Sequence, residues 1–147
     1  MGVNTIEFMA STNLGEPVKP LVKIASTGEI SRFMLALKGA LSNADNIPVL
    51  VFDEIDANVG GEVGREIGRE LARLAEQNQV FAITHLPQVA AAARGHFVVT
   101  KEQSDDASTV TLKNIGESRP DRIDEIARML GNRTSKTARS HAEELVG

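Results

Sequence analysis

One domain, or a large part of one, is what 147 residues allow. Aromatic residues make up only 3% and neither Trp nor Tyr occurs, so the core has to be assembled from Ile, Leu, Val and Ala. A net charge of −4 argues against this segment being the main grip on nucleic acid, which needs a basic footprint; the absence of cysteine excludes disulfides and thiolate metal sites.

Taken in chain order, Ile6 to Ala10 alternates as an edge strand would, and Ser11 to Pro20 is a loop rich in turn formers. A helix starts near Ser26, with Ile30, Phe33, Met34, Leu37 and Leu41 at helical spacing. Asn43 to Pro48 ends it. Val49-Leu50-Val51-Phe52 then reads as a buried parallel strand, because it is a continuous apolar run. Gly60-Gly61 opens a turn into a second amphipathic helix, with Val63, Ile67, Leu71, Leu74 and Ala75 on one face. Gln79 to Ile83 is another strand, closing in Thr84-His85, and Pro87 begins a short helix that Gly95 stops. His96 to Thr100 is a further strand, and Ser104 to Ala107 a hairpin turn into Thr109–Leu112. Pro120 to Leu130 is a helix capped by Gly131, with Ile123, Ile126, Ala127 and Leu130 inward; Thr134 caps a last helix through Leu145. The order predicts an α/β fold with a mainly parallel sheet, flanking helices and a helical C-terminal tail. With no basic-then-apolar leader and no apolar run long enough for a bilayer, the chain reads as soluble and cytoplasmic, with no membrane partner.

Three features carry chemistry. The strand at Val49–Phe52 runs straight into Asp53-Glu54-Ile55-Asp56. Ligands of open α/β sheets sit beyond the carboxyl ends of the strands, so Asp53 and Glu54 stand where a Walker B motif would hold Mg²⁺ and polarise water. On its own the octet is equally an ordinary strand entering a polar loop. Second, Ser26-Thr27-Gly28-Glu29-Ile30-Ser31-Arg32 opens a helix. Ser followed three residues later by Glu is a capping box, a common structural device. It is also a helix N-terminus whose free N–H groups and glycine suit a phosphate. Third, His85 ends the second strand, where an imidazole could reach a γ-phosphate or an attacking water; alone, such a histidine is more often incidental. His96 and His141 lack that setting and read as structural or surface residues.

In this order and spacing the three features resemble the second half of an ATP-binding-cassette head of the SMC type, a P-loop NTPase-like fold. The similarity is closer still to the RecN family of bacterial DNA repair proteins. It is carried by Gly15 to Ser26, by Phe52 to Ala57 followed by Val59-Gly60-Gly61, by Thr84 to Ala90, and by Ile126 to Gly131. The resemblance implies roles position by position. Ser26, Thr27, Gly28 and Glu29 form the signature that contacts ATP held by the opposite subunit. Asp53 partners Mg²⁺ and Glu54 is the catalytic carboxylate. Asp56, Ala57, Asn58, Val59 and Gly60 form the D-loop at a dimer seam, and His85 is the switch histidine. Thr27 stands where the family usually has glycine, and a stiffer β-branched residue there implies altered nucleotide contacts. Gly60 replaces the usual SMC aspartate and points to the RecN branch. Asn58 replaces a glycine of that branch and tolerates left-handed backbone.

The same resemblance implies ATP and Mg²⁺ as cofactors, a homodimer of heads sandwiching ATP, DNA as a partner of the intact protein, a recombinase as a further candidate partner, and a bacterial, nucleoid-associated location. No G-x-x-x-x-G-K-[ST] loop and no long charged heptads occur. Residues 1–147 are therefore expected to be the C-terminal lobe of such a head, with the Walker A lobe and coiled-coil arm elsewhere and Met1 an addition. Two other readings stand beside this one: a non-catalytic dimerisation or docking module, and a head fragment of another SMC-type chromosome protein.

Overall fold

The computed structural model describes residues 5–11, 15, 17–24, 26–41, 47–103 and 108–147. The expected hairpin turn at Ser104–Ala107, most of the expected Asn43–Pro48 loop, and Glu16 and Ala25 of the family-like run lie outside them.

The element that positions everything else is a parallel pair, β3 (Val49–Phe52) with β4 (Gln79–Ala82), in register from Val49 opposite Gln79 to Phe52 opposite Ala82. Parallel neighbours need a crossover, and α3 (Gly61–Leu74) supplies it. The register is pinned at both ends. Asn78 donates its side-chain amide to the Ile47 carbonyl (2.7 Å), and the Ile83 N–H reaches the Phe52 carbonyl (2.9 Å).

One face of this pair is covered. Leu50, Phe52 and Val80 pack with Leu35 of α2 (Thr27–Leu41) and with Ile67, Leu71 and Leu74 of α3. These α3 residues recur at helical spacing and, with Gly64 and Gly68, form the buried arc. Val63 and Ala75, expected inward, lie at the edge of that arc and are exposed. The glycines matter because α3 lies against the segment after β4. A Cβ on Gly64 would stand 2.8 Å from Leu86 Cδ1, and one on Gly68 3.1 Å from the Gln88 carbonyl. The other face of β3–β4, with Val49, Val51, Phe81 and Ile83, is open; Val51 is 65% exposed.

Helix α4 (Pro87–Ala91) joins this core to a second one. Val89 faces the first; Ala90 and Ala91 face Ile123, Ile126 and Ala127 of α5 (Arg119–Met129) and Ala142 of α6 (Lys136–Val146). Gly131, at φ +107°, ends the α5 turn as expected. The last helix is capped by Ser135, which accepts from Ala138 N–H, rather than by Thr134, whose hydroxyl donates to Asn132. Buried Glu125 of α5 is held by both nitrogens of an Arg128 fork, at 2.6 and 2.9 Å.

Among the described residues the parallel arrangement is this single pair; the other two pairs are antiparallel. Strands β5 (Phe97–Gln103) and β6 (Ser108–Asn114) follow each other directly, which makes a hairpin, and both run longer than the expected His96–Thr100 and Thr109–Leu112. Of the expected strand at Ile6–Ala10 only β1 (Met9–Ala10) is paired, with β2 (Lys19–Pro20), inside what was expected to be loop. Pro20 has no N–H to extend that ladder. A short helix, α1 (Leu21–Ile24), follows it, where the sequence suggested none.

Candidate functional site

Past Phe52 the chain turns sharply. The Ala57 N–H bonds the Glu54 carbonyl (3.0 Å), and two non-glycine residues take left-handed backbone, Glu54 at φ +54° and Asn58 at φ +59°. Asn58 thus uses the tolerance expected of it. The turn separates the acids by environment. Asp53 and Glu54 are exposed at the strand end, and the Glu54 N–H donates to Asp53 Oδ1 (2.8 Å). Ile55 is buried, and Asp56 is 1% exposed.

Asp56 reaches the neighbouring strand end. Its Oδ2 accepts the Thr84 hydroxyl, the His85 N–H (2.9 Å) and the Leu86 N–H (3.0 Å), and lies 3.3 Å from His85 Nδ1. Burial pushes this carboxyl up, but the Thr84 hydroxyl and the two N–H donors outweigh that and hold it below the ordinary carboxylate range. The His85 side chain itself is 71% exposed. Asp53, Glu54 and His85 therefore all follow the carboxyl ends of β3 and β4, with the parallel pair between them.

The start of α2 meets the same turn from the side. Ser31 Oγ donates to the Asp53 carbonyl (2.9 Å), and Arg32 Nη1 to the carbonyls of Ile55 (3.2 Å) and Ala57 (3.1 Å). Gly28 is buried here: a Cβ would lie 2.9 Å from Ala57 Cβ and 3.0 Å from the Glu54 carbonyl. Close packing within the chain therefore already requires glycine at this position. The capping box is present as well. The Ser26 N–H and hydroxyl both donate to Glu29 Oε2 (2.8 and 3.0 Å), and the Glu29 N–H reaches Ser26 Oγ (3.4 Å). These Ser26 donors, the backbone N–H foremost, hold the Glu29 carboxyl below its usual range. An incoming phosphate would compete with Glu29 for the Ser26 hydroxyl. Thr27 is exposed, as are Asn58 and Gly60, while Ala57 and Val59 are half-buried.

No protein-family model matches the chain. A DNA repair protein RecN of Treponema pallidum is 46% identical over 146 residues, 99% of this chain and 25% of the relative. A RecN of Mycobacterium leprae is 47% identical over 146 residues, 99% of this chain and 24% of the relative. The chain is homologous to part of RecN. It spans about a quarter of the length of these RecN relatives. A solved chain from work on ATP-driven dimerisation and DNA-stimulated activation of SMC ATPases superposes with a TM-score of 0.50 at 22% identity, covering 84% of this chain and 74% of that one. That likeness shows a shared fold with the solved chain.

In this RecN-like chain the sequence motifs include Ser31, Arg32 and Thr84 without assigning them a role. The first two bond main-chain carbonyls 22 to 25 positions away, which no local pattern announces. Thr84 was visible only as the residue before His85.

Two outcomes follow. Gly28→Ala should lower the melting temperature of the chain, by about 1–3 kcal/mol in stability, because the Glu54 carbonyl cannot yield as a flexible side chain would; thermal denaturation measures it. The Asp56 contribution should depend on pH in a defined direction. A folded-state pKa below the ordinary value means that stabilisation is full above about pH 4 and is lost as pH falls through the lowered value. The stability gap between wild type and Asp56→Asn, read by urea unfolding, should therefore be constant near neutrality and narrow below about pH 4.

Proposed function

We propose that this chain is the signature and Walker B lobe of a RecN-type ATPase head, the C-terminal part of a longer protein. In that protein two heads bind ATP and Mg²⁺ between them and hydrolyse ATP in recombinational repair of DNA double-strand breaks. One observation carries the proposal: two exposed carboxylates and an exposed imidazole follow the carboxyl ends of hydrogen-bonded parallel strands, on a RecN-like sequence. The open apolar face at Val49, Val51, Phe81 and Ile83 supports the idea of a lobe within a larger head, because parallel sheets are usually covered on both faces. The DNA side comes from the relatives' name, since the charge of this segment supplies no basic grip.

The donor set fits the cofactors. Asp53 spends one oxygen on the Glu54 N–H and keeps further acceptor capacity facing solvent. Among the described residues no group of three or more His, Asp or Glu could hold a metal alone. Mg²⁺ is commonly bound by one or two carboxylates plus substrate phosphates, and the exposed Asp53 carboxylate can serve as one of them. When bound, Mg²⁺ with ATP supplies charge neutralisation on the phosphates and a phosphoryl group open to attack by water. The residues of the chain then divide the work. Asp53 offers the metal-facing oxygen. Glu54, held outward by its left-handed backbone, accepts a hydrogen bond from water and orients it. His85 adds a polar contact from the adjacent strand. The N–H groups at the start of α2, with Thr27 and, once freed from Glu29, the Ser26 hydroxyl, would meet a phosphate held by the opposite head at the positive end of a helix dipole. Among the described residues no helix is long and apolar enough to cross a membrane.

Calorimetric titration of the 147-residue chain should show no micromolar ATP binding, because the sequence has no loop to cradle the α- and β-phosphates. Tight binding by the chain alone would overturn its reading as one half of a composite site. In the longer protein, Glu54→Gln should keep ATP binding and slow hydrolysis by about 10²–10⁴-fold, the usual worth of a positioned general base, with the closed dimer accumulating. Unchanged turnover in a phosphate-release assay would remove Glu54 from the catalytic role.

A further inference from the structure

We propose that Asp56 is a positioning residue for His85: its buried carboxylate holds the imidazole with Nδ1 inward and protonated, so that Nε2 is the nitrogen presented beyond the strand ends. The consequence for turnover rests on the ATPase reading above; the geometry does not.

Four observations build it. Asp56 is 1% exposed, so protein donors must meet its charge. Three of them come from consecutive residues, the Thr84 hydroxyl and the N–H groups of His85 and Leu86, which fixes the backbone on both sides of the histidine. The same oxygen lies 3.3 Å from His85 Nδ1. An ionised carboxylate only accepts, and a bare ring nitrogen facing it would be repelled, so Nδ1 carries the proton. Finally, the His85 side chain is 71% exposed, and packing alone would not select one ring orientation. Thr84 reinforces the arrangement, because its hydroxyl oxygen also accepts the Leu86 N–H (3.0 Å). Asp56 thus acts through His85 and touches no substrate. Its side chain faces into the chain, although the D-loop resemblance puts the residue at a dimer seam.

Asp56→Asn keeps the size of the side chain, but because one oxygen meets the donors of Thr84, His85 and Leu86 the amide oxygen must stay there; the ring then faces a neutral acceptor in place of a charged one, and the preference for a proton on Nδ1 weakens. The test is long-range ¹H–¹⁵N correlation NMR of the histidine-labelled chain, which has three histidines; His85→Gln assigns the His85 signals. The wild type is expected to show His85 protonated at Nδ1, and Asp56→Asn to shift it toward the Nε2–H form. A wild-type His85 dominated by Nε2–H overturns the proposal whether or not the variant folds. In the longer protein, Asp56→Asn should lower kcat by about 10–100-fold with the ATP KM little changed, the range for groups that orient a functional histidine. Combined with His85→Gln it should cost no more than His85→Gln alone; additive losses would overturn the coupling. If neither Glu54→Gln nor His85→Gln alters turnover, the ATPase reading fails, and the tautomer still decides the role of Asp56.

Discussion

A carboxylate excluded from water has to be answered by donors, and Asp56 collects its donors from the three residues that leave β4. That one demand makes two loops, distant in sequence, into a single surface. Loops between secondary elements ordinarily move more than the strands they leave. Here the loop after β3 contributes an anion and the loop after β4 contributes the N–H groups that would otherwise lack partners. Each is therefore the other's hydrogen-bonding environment. The parallel register of β3 and β4 brings the ends level, and Asp56 ties them together.

The start of α2 adds a second constraint on the same turn. Arg32 gathers the carbonyls of Ile55 and Ala57, Ser31 bonds that of Asp53, and Gly28 lets the helix sit directly on Ala57. The acidic turn is thus held at its main-chain carbonyls by a helix and through the Asp56 side chain by the residues that follow β4. A displacement of the helix start would be felt at Glu54 through atoms already in contact.

Much of this was legible in the residues, for reasons that differ by element. Val49–Phe52 could be read as a strand because it is an unbroken apolar run, although in this chain only its Leu50 and Phe52 face is covered, and α3 because Ile67, Leu71 and Leu74 keep a helical period. The capping box at Ser26 and Glu29 is local and was therefore visible. Gly28 illustrates the limit: the sequence suits its glycine to phosphate approach, and only the structure adds that a Cβ there would meet Ala57 and Glu54 of the same chain. The inward course of Asp56 was hidden for a similar reason. Asp53, Glu54 and Asp56 look alike in sequence, and only the turn at Glu54 sends two outward and one inward. Val63 and Ala75 mark the edge of a helical stripe, where periodicity cannot tell covered from bare.

The left-handed backbone at Glu54 has one more implication. A side chain with a Cβ is uncomfortable there by roughly 1–2 kcal/mol, and glycine would not be. Exchanging Glu54 for glycine would relax the fold and delete the carboxylate in a single step. A programme that ranked variants by heat resistance alone would be drawn to this position and would reward the loss of the carboxylate on which the proposed ATPase role depends. The residue is held against the local preference of the chain, as functional residues often are.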